Sequence, residues 1–141
     1  MNISKIVIDT NVIVSALKSK KGTSYSLLRL IGKGKFEYNI SVPIMLEYEK
    51  VLLDSKLKIP FMKQEIEKIL NFICANSNHH KIYYLWRPYL KDEKDDMVLE
   101  LAVSSNADYI ITFNKKDYTG VEKFGIQVLT PREYLERIGE I

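Results

Sequence analysis

Lys5-Ile6-Val7-Ile8-Asp9-Thr10-Asn11 runs from a base through three apolar residues, two of them isoleucine and one valine, to an acid and two small polar side chains. A short β-branched run without polar alternation is the pattern of a strand buried on both faces. The acid at its end then stands at the carboxyl edge of a sheet. Asp108-Tyr109-Ile110-Ile111-Thr112 repeats the design late in the chain and leads into the polar turn Phe113-Asn114.

Working outward from these two strands, the pattern alternates. Residues 12–18 and 23–31 read as helices, the second with Leu27, Leu28 and Ile31 on one face and Gly32 and Gly34 beyond it. Residues 38–42 read as a strand, and Pro43 suits the first turn of a helix reaching about Leu57. A helix over 61–77 carries the stripe Ile66, Ile69, Leu70, Ile73 and Cys74. A strand is expected at Ile82–Leu85, a helix over 96–106 capped by Asp95 or Asp96, a strand at Gln127–Leu129, and a last helix over 131–138. Apolar strands alternating with helices predict an α/β fold: three α/β/α layers around a mainly parallel sheet of about five strands. No linker or repeat divides the 141 residues, so one domain over 1–141 is expected. Ligands of such sheets bind beyond the carboxyl ends of the strands, where Asp9 and Asn114 fall.

The acids are distributed unevenly. With 21 basic and 18 acidic residues the chain is only mildly basic, yet Lys91-Asp92-Glu93-Lys94-Asp95-Asp96 places four acids in six positions. That exceeds what capping a helix requires. The segment Met97-Val98-Leu99-Glu100-Leu101-Ala102-Val103 that follows is apolar on most faces, so Asp96 lies where surface turns into core. A carboxylate there needs a partner, a metal ion or a base. Asp9 either caps the next helix or offers a hard oxygen ligand of the kind Mg²⁺ or Mn²⁺ prefers. Glu47, one turn after Pro43, has no local feature that separates it from Glu49. Thr112 and Asn114 are usual turn residues, whereas Asn114 and Asp117 could instead bind a metal through water or hold an attacking water. The His79-His80 pair lacks companions at metal-ligand spacing, and Cys74 reads as a core residue.

Composition narrows the classes. At 46% hydrophobic and 28% charged the chain is globular, and one cysteine excludes a disulfide framework. No apolar run approaches the roughly 18 residues of a membrane span. With no secretory leader pattern at the start, a cytoplasmic protein is expected.

Together these pieces resemble the PIN-domain family. Ile-Val-Ile-Asp-Thr-Asn-Val, residues 6–12, is similar to its first motif, Glu47 to its second acid, and Asp96 with Ala102 six positions on to its third. Asp108–Asn114 is similar to its closing strand, except that the fourth position, often Asp, is Asn114, with Asp117 nearby to compensate. The wording Asp92-X-X-Asp95-Asp96 looks most like a bacterial or archaeal subgroup akin to VapC toxins. The resemblance implies a ribonuclease dependent on Mg²⁺ or Mn²⁺, a homodimer, and neutralisation by an antitoxin. It implies Asp9, Asp96 and Glu47 as metal ligands, Asn114 or Asp117 completing the set, and Thr10, Asn11 and Thr112 orienting them. A haloacid-dehalogenase-like phosphatase would need a second Asp where Asn11 stands, and a response-regulator receiver an acidic pair at the first strand. A PIN fold that binds RNA or regulates without turnover is the alternative from another class.

Overall fold

The structure, a computed structural model, describes residues 3–82 and 90–141, with the backbone alone at residue 93. Its strands are β1 (Lys5–Ile8), β2 (Glu37–Ile40), β3 (Asn78–His79), β4 (Tyr109–Ile111) and β5 (Gln127–Leu129). Its helices are α1 (Thr10–Lys18), α2 (Thr23–Arg29), α3 (Val42–Leu52), α4 (Lys63–Ala75), α5 (Glu93–Ser104) and α6 (Pro131–Arg137). The strands form one sheet in the order β3-β2-β1-β4-β5, and all four pairings are parallel. Helices flank this sheet in the three-layer α/β/α arrangement. The edge strand is Asn78–His79, beside Ile40. The strand expected at Ile82–Leu85 falls, beyond Ile82, outside the described residues.

Ile6, Val7 and Ile8 are buried to 1% exposure or less, which is why β1 carries no polar alternation: it is covered on both faces. α5 lies along β1, β2 and β4, while α1 packs on α2 and α3, and α2 on α6. Chain order reverses at β1, which has β2 on one side and β4 on the other, with Ile8 opposite Ile111. In open parallel sheets the crevice at such a reversal is where ligands sit. Asp9 and Thr112 follow those two facing residues directly. Their backbones extend the sheet by one step, Asp9 N–H donating to Ile111 O at 2.9 Å and Thr112 N–H to Leu129 O at 2.9 Å.

Local chemistry explains where the helices begin. Ser41 Oγ accepts from Ile44 N–H at 3.3 Å and starts α3, with Pro43 in its first turn. α3 ends at Leu52, and a short 3₁₀ turn over Ser55–Leu57 takes up the rest of the helix expected to about residue 57. α5 starts three residues before position 96 because Asp92, rather than Asp95 or Asp96, is its cap, accepting from Lys94 N–H at 2.9 Å. That releases the next two aspartates for other work.

Candidate active site

Asp9 is 8% exposed, and its two oxygens are treated differently. Oδ1 accepts from the Thr10 N–H at 2.7 Å, which also caps α1. Oδ2 accepts from Thr112 Oγ1 at 2.8 Å, from Tyr118 Oη at 3.0 Å and from Asn11 Nδ2 at 3.4 Å. The cap and the site are thus one side chain. Thr112 Oγ1 in turn accepts from Asn114 N–H at 3.1 Å and Asn11 Nδ2 at 3.3 Å, and Asn11 Oδ1 accepts from Phe113 N–H at 3.4 Å. Strand end, helix start and the turn after β4 are knitted around one carboxylate. Thr10 contributes its backbone amide, whereas Asn11 and Thr112 contribute side chains.

Tyr118 closes the group from the 3₁₀ turn Lys115–Tyr118. Its ring is 1% exposed, and its hydroxyl lies 3.0 Å from Asp9 Oδ2 and 3.2 Å from Asp95 Oδ1. The second acid that the structure joins to Asp9 is therefore Asp95. Asp96, the residue expected from the sequence, is fully buried, and its Oδ1 accepts the Leu90 N–H at 2.8 Å. Its partner includes a backbone amide of the preceding loop, so the solvation that a buried acid requires is supplied by the chain. Successive residues on a helix point about 100° apart, which is how neighbours acquire such different surroundings.

Electrostatics single out the same acids. Burial raises the Asp9 carboxyl above the usual carboxylate range, against the pull of Thr112, Tyr118 and Thr10, and the charge on Asp117 adds to the rise. Burial and then the charge on Asp9 push Asp95 up to about 6, with Asp117 and Asp92 contributing. Tyr118, buried against two acids, is held well above the usual phenol range and remains a donor. Asp117 is exposed and enters through its charge; Asn114 is exposed and enters through its backbone. Glu47 is half-buried on α3, beside Tyr48. The Tyr48 hydroxyl donates to Ile8 O, the carbonyl just before Asp9, and accepts from Tyr38 at 2.8 Å. Among the described residues Asp9, Asp95, Asp117 and Glu47 have no ion pair.

Sequence reasoning missed Tyr118 and undervalued Asp95. The signal for Asp95 was present in the surplus of acids, but a helix apolar on most sides does not reveal which of two adjacent acids looks outward. His79 Nε2 lies 2.8 Å from Cys74 O and His80 Nε2 lies 2.8 Å from Asn39 Oδ1, both ordinary structural contacts.

Residues 5–116 match the sequence model of the PIN domain, and the chain belongs to that family. It is 29% identical to the uncharacterized protein MJ1680 of Methanocaldococcus jannaschii, over 94% of this chain and 90% of that one. Its fold is similar to a chain in the crystal structure of VapBC2 from Rickettsia felis bound to a DNA fragment from their promoter. That match has a TM-score of 0.62 and 16% identity, and covers 88% of this chain and 98% of the other.

Proposed function

We propose that this protein is a divalent-cation-dependent endoribonuclease and the toxin component of a toxin–antitoxin pair. The observation that carries the reading is the buried Asp9 carboxylate, joined through Tyr118 to Asp95 and facing the charge of Asp117 with no cationic side chain paired to any of them among the described residues. Like charges gathered at a sheet's ligand-binding edge are relieved by a cation or by protonation. The donor set is all oxygen, which suits Mg²⁺ or Mn²⁺. Among the described residues no three His, Cys, Asp or Glu side chains form a ready-made cage. This is compatible with Mg²⁺, which usually keeps several waters and is held through one or two carboxylates.

In this reading Asp9 and Asp95 hold the cation, Glu47 and Asp117 contribute through water, and Asn114 borders the opening. Asp96 supports the loop before α5 instead of binding. Such a cation supplies an activated water at neutral pH and offsets charge growing on the phosphate. The protein's share is orientation: Thr112, Asn11 and the Thr10 amide fix the Asp9 carboxylate so that it loses little freedom when it binds. No side chain is required as a nucleophile.

The toxin role is supported by the family and by the likeness to a VapBC2 chain over nearly the whole fold. An antitoxin is the expected partner, RNA the substrate and the cytoplasm the site of action. A homodimer through α3 and α4 is supported by the outward-facing Val42, Leu46 and Phe72, exposed by 71%, 60% and 43%. Among the described residues no helix is long and apolar enough to cross a membrane.

The test is incubation of the pure protein with a panel of RNAs in Mg²⁺ or Mn²⁺, beside EDTA and beside Asp9→Asn. Cleavage abolished by both, leaving 5′-phosphate and 3′-hydroxyl ends, is expected. Ends carrying 2′,3′-cyclic phosphate would sink the mechanism, and RNA binding without cleavage would favour a regulatory module.

A further inference from the structure

Among the described residues Tyr118 is the only tyrosine whose hydroxyl rests on carboxylates. The Tyr48 hydroxyl meets a backbone carbonyl, that of Tyr134 meets Ser4, and that of Tyr109 accepts from Arg137. The Tyr118 ring is buried to 1% exposure at the end of a 3₁₀ turn, so its hydroxyl has little room to swing. It stands 3.0 Å from Asp9 Oδ2 and 3.2 Å from Asp95 Oδ1, reaching one oxygen of each acid. Asp9 Oδ2 already receives Thr112 and Asn11, so its lone pairs are largely spent within the protein. Asp9 Oδ1 has only the Thr10 N–H, and Asp95 Oδ2 has no partner among the described residues. In each acid one oxygen is tied to the hydroxyl, and the other carries at most one backbone contact, the Thr10 N–H on Asp9 Oδ1.

We infer that Tyr118 is a positioning residue for cation binding, its one hydroxyl bridging Asp9 Oδ2 and Asp95 Oδ1 so that the two carboxylates that would hold the ion are kept together. The inference rests on the metal-site reading above. The two acids come from the end of β1 and the first turn of α5, elements that share no covalent constraint, and their charges repel. A donor common to both holds them together in the metal-free protein. Outer hydrogen-bond partners of this kind typically change metal affinity by about 10–100-fold.

The experiment is calorimetric titration of Mn²⁺ into wild type, Tyr118→Phe and Tyr134→Phe, with melting curves in EDTA and RNA cleavage measured on the same samples. Tyr134→Phe removes the hydroxyl of an equally buried ring that touches neither acid. The expected result is Mn²⁺ binding about 10–100-fold weaker for Tyr118→Phe and unchanged for Tyr134→Phe. Wild-type affinity in Tyr118→Phe, even with a lowered melting temperature, would make the residue merely structural and overturn the inference. A wild type that binds no Mn²⁺ would overturn the metal reading and this inference with it. If Tyr118→Phe does not fold, a crystal structure of the Mn²⁺-loaded wild type decides. The hydroxyl should stay within hydrogen-bond distance of both carboxylates while they hold the ion; an ion that displaces the hydroxyl or binds it directly would overturn the inference.

Discussion

The turn after β4 serves two groups of acids, and it treats them in opposite ways. At its far end Tyr118 joins Asp9 and Asp95, whose carboxyls are both held above the usual range, Asp9 by burial and the charge on Asp117, Asp95 by burial and the charge on Asp9. At its near end the Lys115 Nζ reaches Glu133 Oε1 at 2.9 Å. Glu133 also accepts the Thr130 N–H at 2.9 Å and closes the start of α6, and these contacts hold its carboxyl below the usual range. The Glu133 charge is used up inside the chain. Asp9 and Asp95 carry hydrogen bonds but, among the described residues, no cationic partner. Asp96, next to Asp95, belongs with Glu133: its Oδ1 accepts the Leu90 N–H inside the chain.

The largest effect should separate the two neighbouring aspartates. Asp95→Asn is expected to weaken Mn²⁺ binding and RNA cleavage by more than about 100-fold, beyond the usual loss from an outer partner, while the metal-free protein stays folded. Asp96→Ala is expected to act on stability instead. It leaves the partly buried Leu90 N–H without its acceptor, at about 1 kcal/mol, measured by urea denaturation in EDTA. If Asp96→Ala lost metal and Asp95→Asn lost only stability, the comparison would be inverted.

A second, smaller effect follows from the sign of the shifts. Asp95 has a folded value of about 6 against an ordinary 3.8, so between these pH values the folded state binds more protons than the unfolded one. Its contribution to stability therefore falls as pH rises through that window, and Asp9 acts in the same direction. In EDTA, Asp95→Asn should gain stability relative to wild type on going from about pH 4 to about pH 6. Divalent ions added above that range should raise the wild-type melting temperature and return the advantage to it. A difference that shrinks with rising pH would remove Asp95 from the uncompensated group.

The smallest effect lies on the other side. Glu133 has a lowered folded value, so its contribution is present above the unfolded value of 4.5 and is lost as pH falls through the folded one. Because the side chain is 43% exposed, solvent screens the pair. Glu133→Gln should cost only about 0.5 kcal/mol at neutral pH, with Mn²⁺ affinity unaltered. A loss of metal binding there would mean that the two ends of the turn are coupled.

The sequence by itself determined the central strands and their carboxyl edge, but not the edge strand Asn78–His79, too short and too polar to show a pattern. Ile6–Ile8 and Ile110–Ile111 are apolar because they are covered on both faces, and that is a local pattern a reader can see. Pro43 and Pro131 marked helix starts through their fixed backbone angle, and Asp9 stood out as the acid at a strand end. Only the tertiary structure decided how the acids were divided. A capping role fits any of several acids before α5, and the choice of Asp92 depends on where the chain enters from the preceding loop. Which of Asp95 and Asp96 meets Asp9 depends on the rotation of a helix buried on most sides, so hydrophobic periodicity cannot supply it. Tyr118 reads in sequence as one more apolar ring in a turn. Its hydroxyl acquires a role only when β4, the 3₁₀ turn and α5 bring it between two carboxylates more than twenty residues away along the chain in either case.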